Sequence, residues 1–214
     1  MYDVCSNCGE YSEDKPVDAT GPFIVCQICS YKHPFLQLPL YIAGGVSGTG
    51  KTTICLELTS KFTECVVLDS DLLWRAEFTT PENNYYSFRS TWLEIAANIG
   101  QSGRSVVLFG IADPERFETL PARQYFSTLH YLLYTCDDEQ LVQRLQARSA
   151  WRQSGTPAFV DTMIAFNNSL KEMARTTKFP VTLLDTGNIS IQEASDYTKD
   201  WIQQRLRLQG DFRK

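Results

Sequence analysis

The stretch Gly45-Val46-Ser47-Gly48-Thr49-Gly50-Lys51-Thr52 constrains this chain more than any other. The apolar run Leu38–Ala43 precedes it and a segment of helical period, Lys51–Phe62, follows it. A buried strand must therefore turn sharply into a helix here, the setting in which Gly-x-x-x-x-Gly-Lys-Thr cradles phosphate. Its glycines permit positive φ and turn backbone N–H groups inward at the positive end of the following helix, which makes an anion nest. Lys51 is placed to reach the β- and γ-phosphates, and the Thr52 hydroxyl to hold Mg²⁺. The expected nucleotide-binding set is Gly45, Ser47, Gly48, Thr49, Gly50, Lys51, Thr52 and Thr53.

Downstream, short apolar runs alternate with longer segments of helical period, as in a parallel α/β sheet. Strands are predicted near Leu38–Ala43, Cys65–Leu68, Ser105–Phe109, Leu129–Tyr134 and Val181–Leu184. Helices are predicted over Lys51–Phe62, Tyr85–Ile99 with Gly100 as C-cap, Asp138–Arg148, a segment opened by Pro157, and Ile191–Leu208. Phe159, Met163, Phe166, Leu170 and Met173 recur at spacings of four and three, an amphipathic face.

Ahead of this body, residues 1–35 are polar and turn-rich, with the loop Glu13-Asp14-Lys15-Pro16 at their centre. Cys5-x-x-Cys8 and Cys26-x-x-Cys29 stand 17 residues apart, the spacing of a four-cysteine zinc ribbon. Four thiolates leave no open position on the metal, so the role expected of Zn²⁺ is structural. Structural zinc contributes an apparent ~10–16 kcal/mol in small domains, enough to offset an ordering entropy that a polar segment cannot recover by burial. His33 is expected in the linker. Cys55, Cys65 and Cys136 read as buried small hydrophobes. Two domains are expected: a ribbon over 1–35 and an α/β body over 36–214.

Of the 214 residues, 43% are hydrophobic and 21% charged, the balance of a globular protein. A net charge of −5 leaves no overall basic field for nucleic acid or anionic lipid. No apolar run approaches the ~18 residues of a membrane span, and no basic, apolar leader pattern opens the chain. A cytoplasmic protein with a small-molecule partner and no membrane partner is expected.

The second strand ends Val66-Val67-Leu68-Asp69-Ser70-Asp71, with two carboxylates where an open sheet presents ligands. With the phosphate loop, this order resembles the P-loop small-molecule and nucleotide kinases, among them the adenylylsulfate, gluconate, shikimate and adenylate kinase-like groups. The resemblance covers about residues 38–208 and implies a three-layer fold with a five-stranded parallel sheet and ATP as phosphoryl donor. It gives Asp71 first, and Asp69 second, the task of orienting or deprotonating an acceptor. Arg75, one helical turn beyond Asp71, and Arg89 become acceptor-side anion contacts, with Tyr85, Tyr86 and Trp92 as stacking surfaces. Asp69 and Asp71 also read as carboxylates beside a helix over Leu72–Phe78, with Ser70 or Asp71 as its N-cap.

The segment Asp138–Arg152 resembles a lid entrance, with Arg144, Arg148 and Arg152 at intervals of four. Arg148 and Arg152 are the lid candidates, since guanidiniums stabilise the equatorial charge of a phosphoryl group in transfer; Arg144 reads better as part of a solvated basic face paired with Asp137, Asp138 or Glu139. The loop after Leu183-Leu184-Asp185 falls where related kinases pack against adenine. Two departures stand out. The third strand ends Phe109-Gly110 without an acid, with Gly110 read as room for substrate. The Asp-Gly-Phe/Tyr-Pro-Arg segment of nucleoside monophosphate kinases is also missing.

The leading expectation is phosphoryl transfer from ATP to a small hydroxyl or phosphate acceptor, with Lys51, Asp71, Asp69, Arg148 and Arg152 as the catalytic set. A nucleoside or nucleoside monophosphate kinase is one alternative. Another is an ATP-dependent switch whose ribbon contacts a protein; nucleic acid is disfavoured because Lys15 and Lys32 are the ribbon's only basic residues.

Overall fold

The computed structural model describes residues 3–12, 15–18, 20–110 and 112–210; Glu13 and Asp14 of the ribbon loop lie outside the described residues. The N-terminal segment carries a small antiparallel hairpin, β1 (Phe23–Val25) and β2 (Lys32–Pro34), in which Ile24 faces His33. His33 thus lies within a strand rather than in the linker. Five strands follow: β3 (Leu40–Gly45), β4 (Cys65–Asp69), β5 (Ser105–Gly110), β6 (Leu129–Thr135) and β7 (Val181–Asp185). They form one parallel sheet in the order β4-β5-β3-β6-β7, each within two residues of the predicted bounds.

Every residue of β3 is buried, because helices cover both faces of the sheet, and this is why the strand reads as an unbroken apolar run. Alternate residues feed two separate cores. Leu40 and Ile42 join Val106, Leu108 and Leu133 on one face, under α2 (Tyr86–Gly100), α4 (Asp138–Gln146) and α5 (Pro157–Thr176). Tyr41 and Ala43 join Phe109, Leu132 and Tyr134 on the other, under α1 (Lys51–Lys61) and α6 (Ile191–Gly210). The chain leaves β3 toward the β4 side and leaves β6 toward β7, so a crevice opens at the carboxyl ends of β3 and β6, the place where open α/β sheets take ligands.

Three local expectations are corrected. Gly100 ends α2 but does not cap it: Gln101 does, in a right-handed conformation, because its side chain bridges the N–H and C=O of Leu36 at 2.9 and 3.1 Å. The helix expected over Leu72–Phe78 is a single 3₁₀ turn over Ser70–Leu73, and its N-cap is Asp69, whose Oδ1 accepts from the Asp71 N–H at 3.0 Å. The helix after β6 stops at Gln146, short of Arg148, and a separate 3₁₀ turn follows over Ala150–Arg152.

The ribbon docks against the opposite end of the sheet from the crevice. Ile24 and Phe35 are buried in the same core as α2 and β6, and Phe35 meets Tyr125 edge-on at 6.3 Å. Gln124 receives the Val17 N–H at 3.1 Å, and its carbonyl accepts from Gln37 at 2.8 Å. Gln124 and Tyr125 lead into the start of β6, and Gln101 leads toward the start of β5, so these contacts gather at the amino ends of the strands.

Candidate functional site

The loop from Gly45 to Gly50 crosses the carboxyl end of β3 and opens a cleft of about 530 Å³. Gly50 takes φ +89° at the N-cap of α1, a left-handed turn that carries the chain straight from the loop into the helix. Gly45, Ser47, Gly48, Gly50, Lys51, Thr52 and Thr53 line the cleft. Thr49 does not: it is buried, and its hydroxyl donates to the Val46 carbonyl at 2.9 Å, bracing the loop from within. Lys51 Nζ also donates to that carbonyl, at 2.7 Å. Desolvation in the cradle, opposed by Asp71, lowers the Lys51 ammonium to about 8.

Asp69 and Asp71 line the same cleft as Lys51. Burial and the neighbouring Asp69 raise the Asp71 carboxyl, against the pull of Lys51, Arg152 and Arg148. The turn between the aspartates is held from behind. Trp92 donates its indole N–H to the Ser70 carbonyl at 3.2 Å, and the buried Ser70 side chain packs on Gly110 so closely that a Cβ there would collide with it. Gly110 is therefore needed chiefly for the β4–β5 approach rather than as room for substrate, although it also borders the cleft.

Arg148 and Arg152 both line the cleft even though no continuous helix joins them. Desolvation and the charge of Arg152 lower the Arg148 guanidinium. Arg152 lies over the Trp151 ring at 4.7 Å. Arg144 also borders the cleft but is tied to the loop after β7, donating to Thr186 Oγ1 at 3.2 Å and to the carbonyls of Thr186 at 2.7 Å and Gly187 at 3.1 Å. Within that loop Asp185 Oδ1 accepts from the Gly187 N–H at 2.8 Å.

The remaining acceptor-side candidates separate. Arg75 is exposed and lines no cavity with the others, because the 3₁₀ turn ends at Leu73 and Trp74 leaves it at ψ 73°. Arg89 and Tyr85 line a second cavity beside the cleft. Tyr86 is exposed and does not line it, and Trp92 is core. Tyr85 starts α2 in the left-handed region at φ 58°, ψ 33°, a conformation costing a bulky residue roughly 1–2 kcal/mol. Nothing in the sequence pointed to Trp74, Phe159, Met163 and Phe166 as parts of the cleft wall. The last three belong to an apolar helix face, and periodicity alone does not distinguish a core contact from the wall of a cavity.

In the ribbon, the four Sγ atoms of Cys5, Cys8, Cys26 and Cys29 lie within 4.8 Å of one another. Cys5–Cys29 and Cys8–Cys26 separations of 3.7 and 3.9 Å match the edge of about 3.8 Å that a tetrahedron with Zn–S bonds of ~2.3 Å requires. The knuckles repeat one design: Gly9 N–H donates to the Cys5 carbonyl and Ser30 N–H to the Cys26 carbonyl, both at 2.9 Å. Hydrogen bonds from the Asn7 amide and the Tyr31 backbone lower the Cys29 thiol to about 6, whereas, against a hydrogen bond from the Glu10 backbone, desolvation and the neighbouring thiols push that of Cys8 up to about 12. The donor set fits Zn²⁺ in a closed, structural site.

No protein-family model matches the sequence, and no curated protein matches it significantly. Solved structures do match in fold. A sugar kinase from Janibacter sp. HTCC2649 superposes with a TM-score of 0.57 at 15% identity, covering 78% of this chain and 95% of its own. A gluconokinase from Sinorhizobium meliloti 1021 gives 0.53 at 15% identity, covering 82% and 98%. The chain has a P-loop kinase-like fold. A tunicamycin resistance protein from Deinococcus radiodurans shares it, with a TM-score of 0.55 at 15% identity over 78% of this chain and 95% of that one. In this P-loop kinase-like frame the phosphate loop, the paired aspartates and Arg148 and Arg152 border a single cleft.

Proposed function

We propose that this chain is an ATP-dependent phosphotransferase that moves the γ-phosphoryl group to a small-molecule hydroxyl or phosphate acceptor. The observation that carries this reading is the convergence of Lys51, Asp71, Arg148 and Arg152 on one cleft bounded by the phosphate loop. The backbone N–H groups of the loop and Lys51 bind the β- and γ-phosphates. Thr52, Asp69 and Asp71 line the same cleft and offer a hard oxygen set suited to Mg²⁺, which when bound would neutralise phosphate charge. Asp71, with its raised pKa, accepts the proton of an acceptor hydroxyl and orients the oxygen for in-line attack. Arg148 and Arg152 stabilise the charge on the equatorial oxygens of the group in transfer.

The test is ADP release with Mg²⁺-ATP across a panel of hydroxyl and phosphate metabolites, beside Lys51→Ala and Asp71→Asn. Acceptor-dependent release lost by at least a hundredfold in both variants supports the reading. Nucleotide binding with no stimulation by any acceptor sinks it and favours a nucleotide-dependent switch.

A further inference from the structure

A second cavity of about 600 Å³ adjoins the phosphate cleft, and Trp74 and Phe166 wall both. Its sides are largely carbon, from Phe88 of α2 and from Leu170 and Met173 of α5. Trp74 stacks on Tyr85 with centroids 5.5 Å apart and planes at 26°, and meets Phe88 edge-on at 5.4 Å. A sugar or sugar acid carries a hydroxyl on nearly every carbon, and the aromatic side formed by Trp74, Tyr85 and Phe88 would leave the hydroxyls that face it without partners. A flat apolar ring suits that side, since it stacks on aromatic faces without needing polar contacts.

Polar groups gather along one side of the cavity, where Arg89 and Arg116 stand with Asp113 and Glu115. Arg89 lines the cavity, its Nε is buried and makes no hydrogen bond, and among the described residues no carboxylate forms an ion pair with its guanidinium. Asp113, the acid whose charge reaches Arg89, is bound to Arg116 at 2.9 Å. A part-buried guanidinium with no carboxylate in contact and a second cation, Arg116, nearby is unfavourable, and its fork fits a carboxylate or phosphate brought by a ligand.

We infer that this cavity binds an anionic molecule built on a flat apolar ring, with the anion on Arg89 and the ring against Trp74 and Tyr85. Under the phosphotransferase reading, on which that role rests, this molecule is the acceptor. Its ring lies beside Trp74, so that a substituent passes the shared wall toward Asp71. Occupancy of the cavity does not depend on that reading.

Binding is measured by tryptophan fluorescence and calorimetry with four probes: 2-naphthoate, 2-naphthyl phosphate, the neutral 2-naphthamide, and gluconate. At least one anionic naphthalene is expected to bind tenfold or more tightly than both 2-naphthamide and gluconate, and which one does so distinguishes carboxylate from phosphate. Arg89→Gln should remove the tenfold preference over the amide, Arg89→Lys should keep part of it, and Trp74→Leu should weaken all three naphthalenes together. Far-ultraviolet circular dichroism and thermal unfolding of each variant report an intact fold. Equal affinity for the anions and the amide, a preference that survives Arg89→Gln, tighter binding of gluconate, or no naphthalene binding at millimolar concentration would each overturn the assignment. ADP release with 6-hydroxymethyl-2-naphthoate is scored separately: naphthalene binding as expected without stimulated release leaves the site standing and counts against phosphoryl transfer alone.

Discussion

Lys51 and Gly110 carry the consequences that belong to single residues. The ammonium of Lys51 is lowered to about 8 by desolvation, whereas bound phosphates would supply the opposite charge and raise it. Nucleotide binding is therefore coupled to proton uptake near and above pH 8. Affinity should be greatest below pH 8 and fall as the pH rises through that value, by up to tenfold per unit until the raised pKa of the bound state is reached. Calorimetry in buffers of different ionisation enthalpy should detect the uptake, and a pH-independent affinity between 7 and 9 would show that Lys51 does not meet the phosphates. At Gly110, a methyl group collides with Ser70, which sits between the two aspartates. Gly110→Ala should destabilise by about 1–3 kcal/mol, the usual cost of overpacking, and should reduce turnover more than nucleotide affinity because the displaced turn carries Asp71. Urea denaturation and steady-state kinetics measure the two effects.

Among the elements, the loop after β7 is tied to α4 by two side chains. Gln140 donates one hydrogen bond to Asn188, and Arg144 makes three to Thr186 and Gly187. Arg144→Ala should cost about 1–3 kcal/mol, with faster amide exchange concentrated over residues 186–189 and the sheet amides unaffected. The strands and long helices were legible in the sequence because burial on two faces, or on one helical stripe, imposes a period. The phosphate loop and the cysteine pairs were legible because their chemistry fixes spacing over a few residues. Helix ends were less so. The turn after β4 is 3₁₀ because Asp69 caps it locally, and α4 ends at Gln146 although the arginine spacing runs on to Arg152. The two cavities were the least legible, since Phe166, Leu170 and Met173 have the spacing of core residues and become cavity walls only through the placement of α5 against Trp74 and Arg89.

For the whole molecule the question is whether the ribbon is a separable appendage. Its hairpin has three residues in each strand, too little to fold by itself without metal. Yet Ile24 and Phe35 are part of the larger core, and Gln124 and Gln101 bind the ribbon and its linker to the elements that lead into β6 and β5. Removing Zn²⁺ with a strong chelator under reducing conditions should therefore expose that side of the core and lower the melting temperature of the whole chain in one transition, rather than melt the ribbon alone. Each kcal/mol transmitted is worth about 2–4 °C for a chain of this size. Metal analysis should find one zinc per chain before treatment, and Cys26→Ser should reproduce the loss. Because the ribbon docks at the amino ends of the strands and the phosphate cleft opens at the carboxyl ends, nucleotide affinity well below the melting transition should stay within about twofold. A chelated protein with an unchanged melting temperature would show that the interface transmits no stability. One that kept its fold but lost nucleotide affinity would instead show that the ribbon and the cleft are coupled across the sheet.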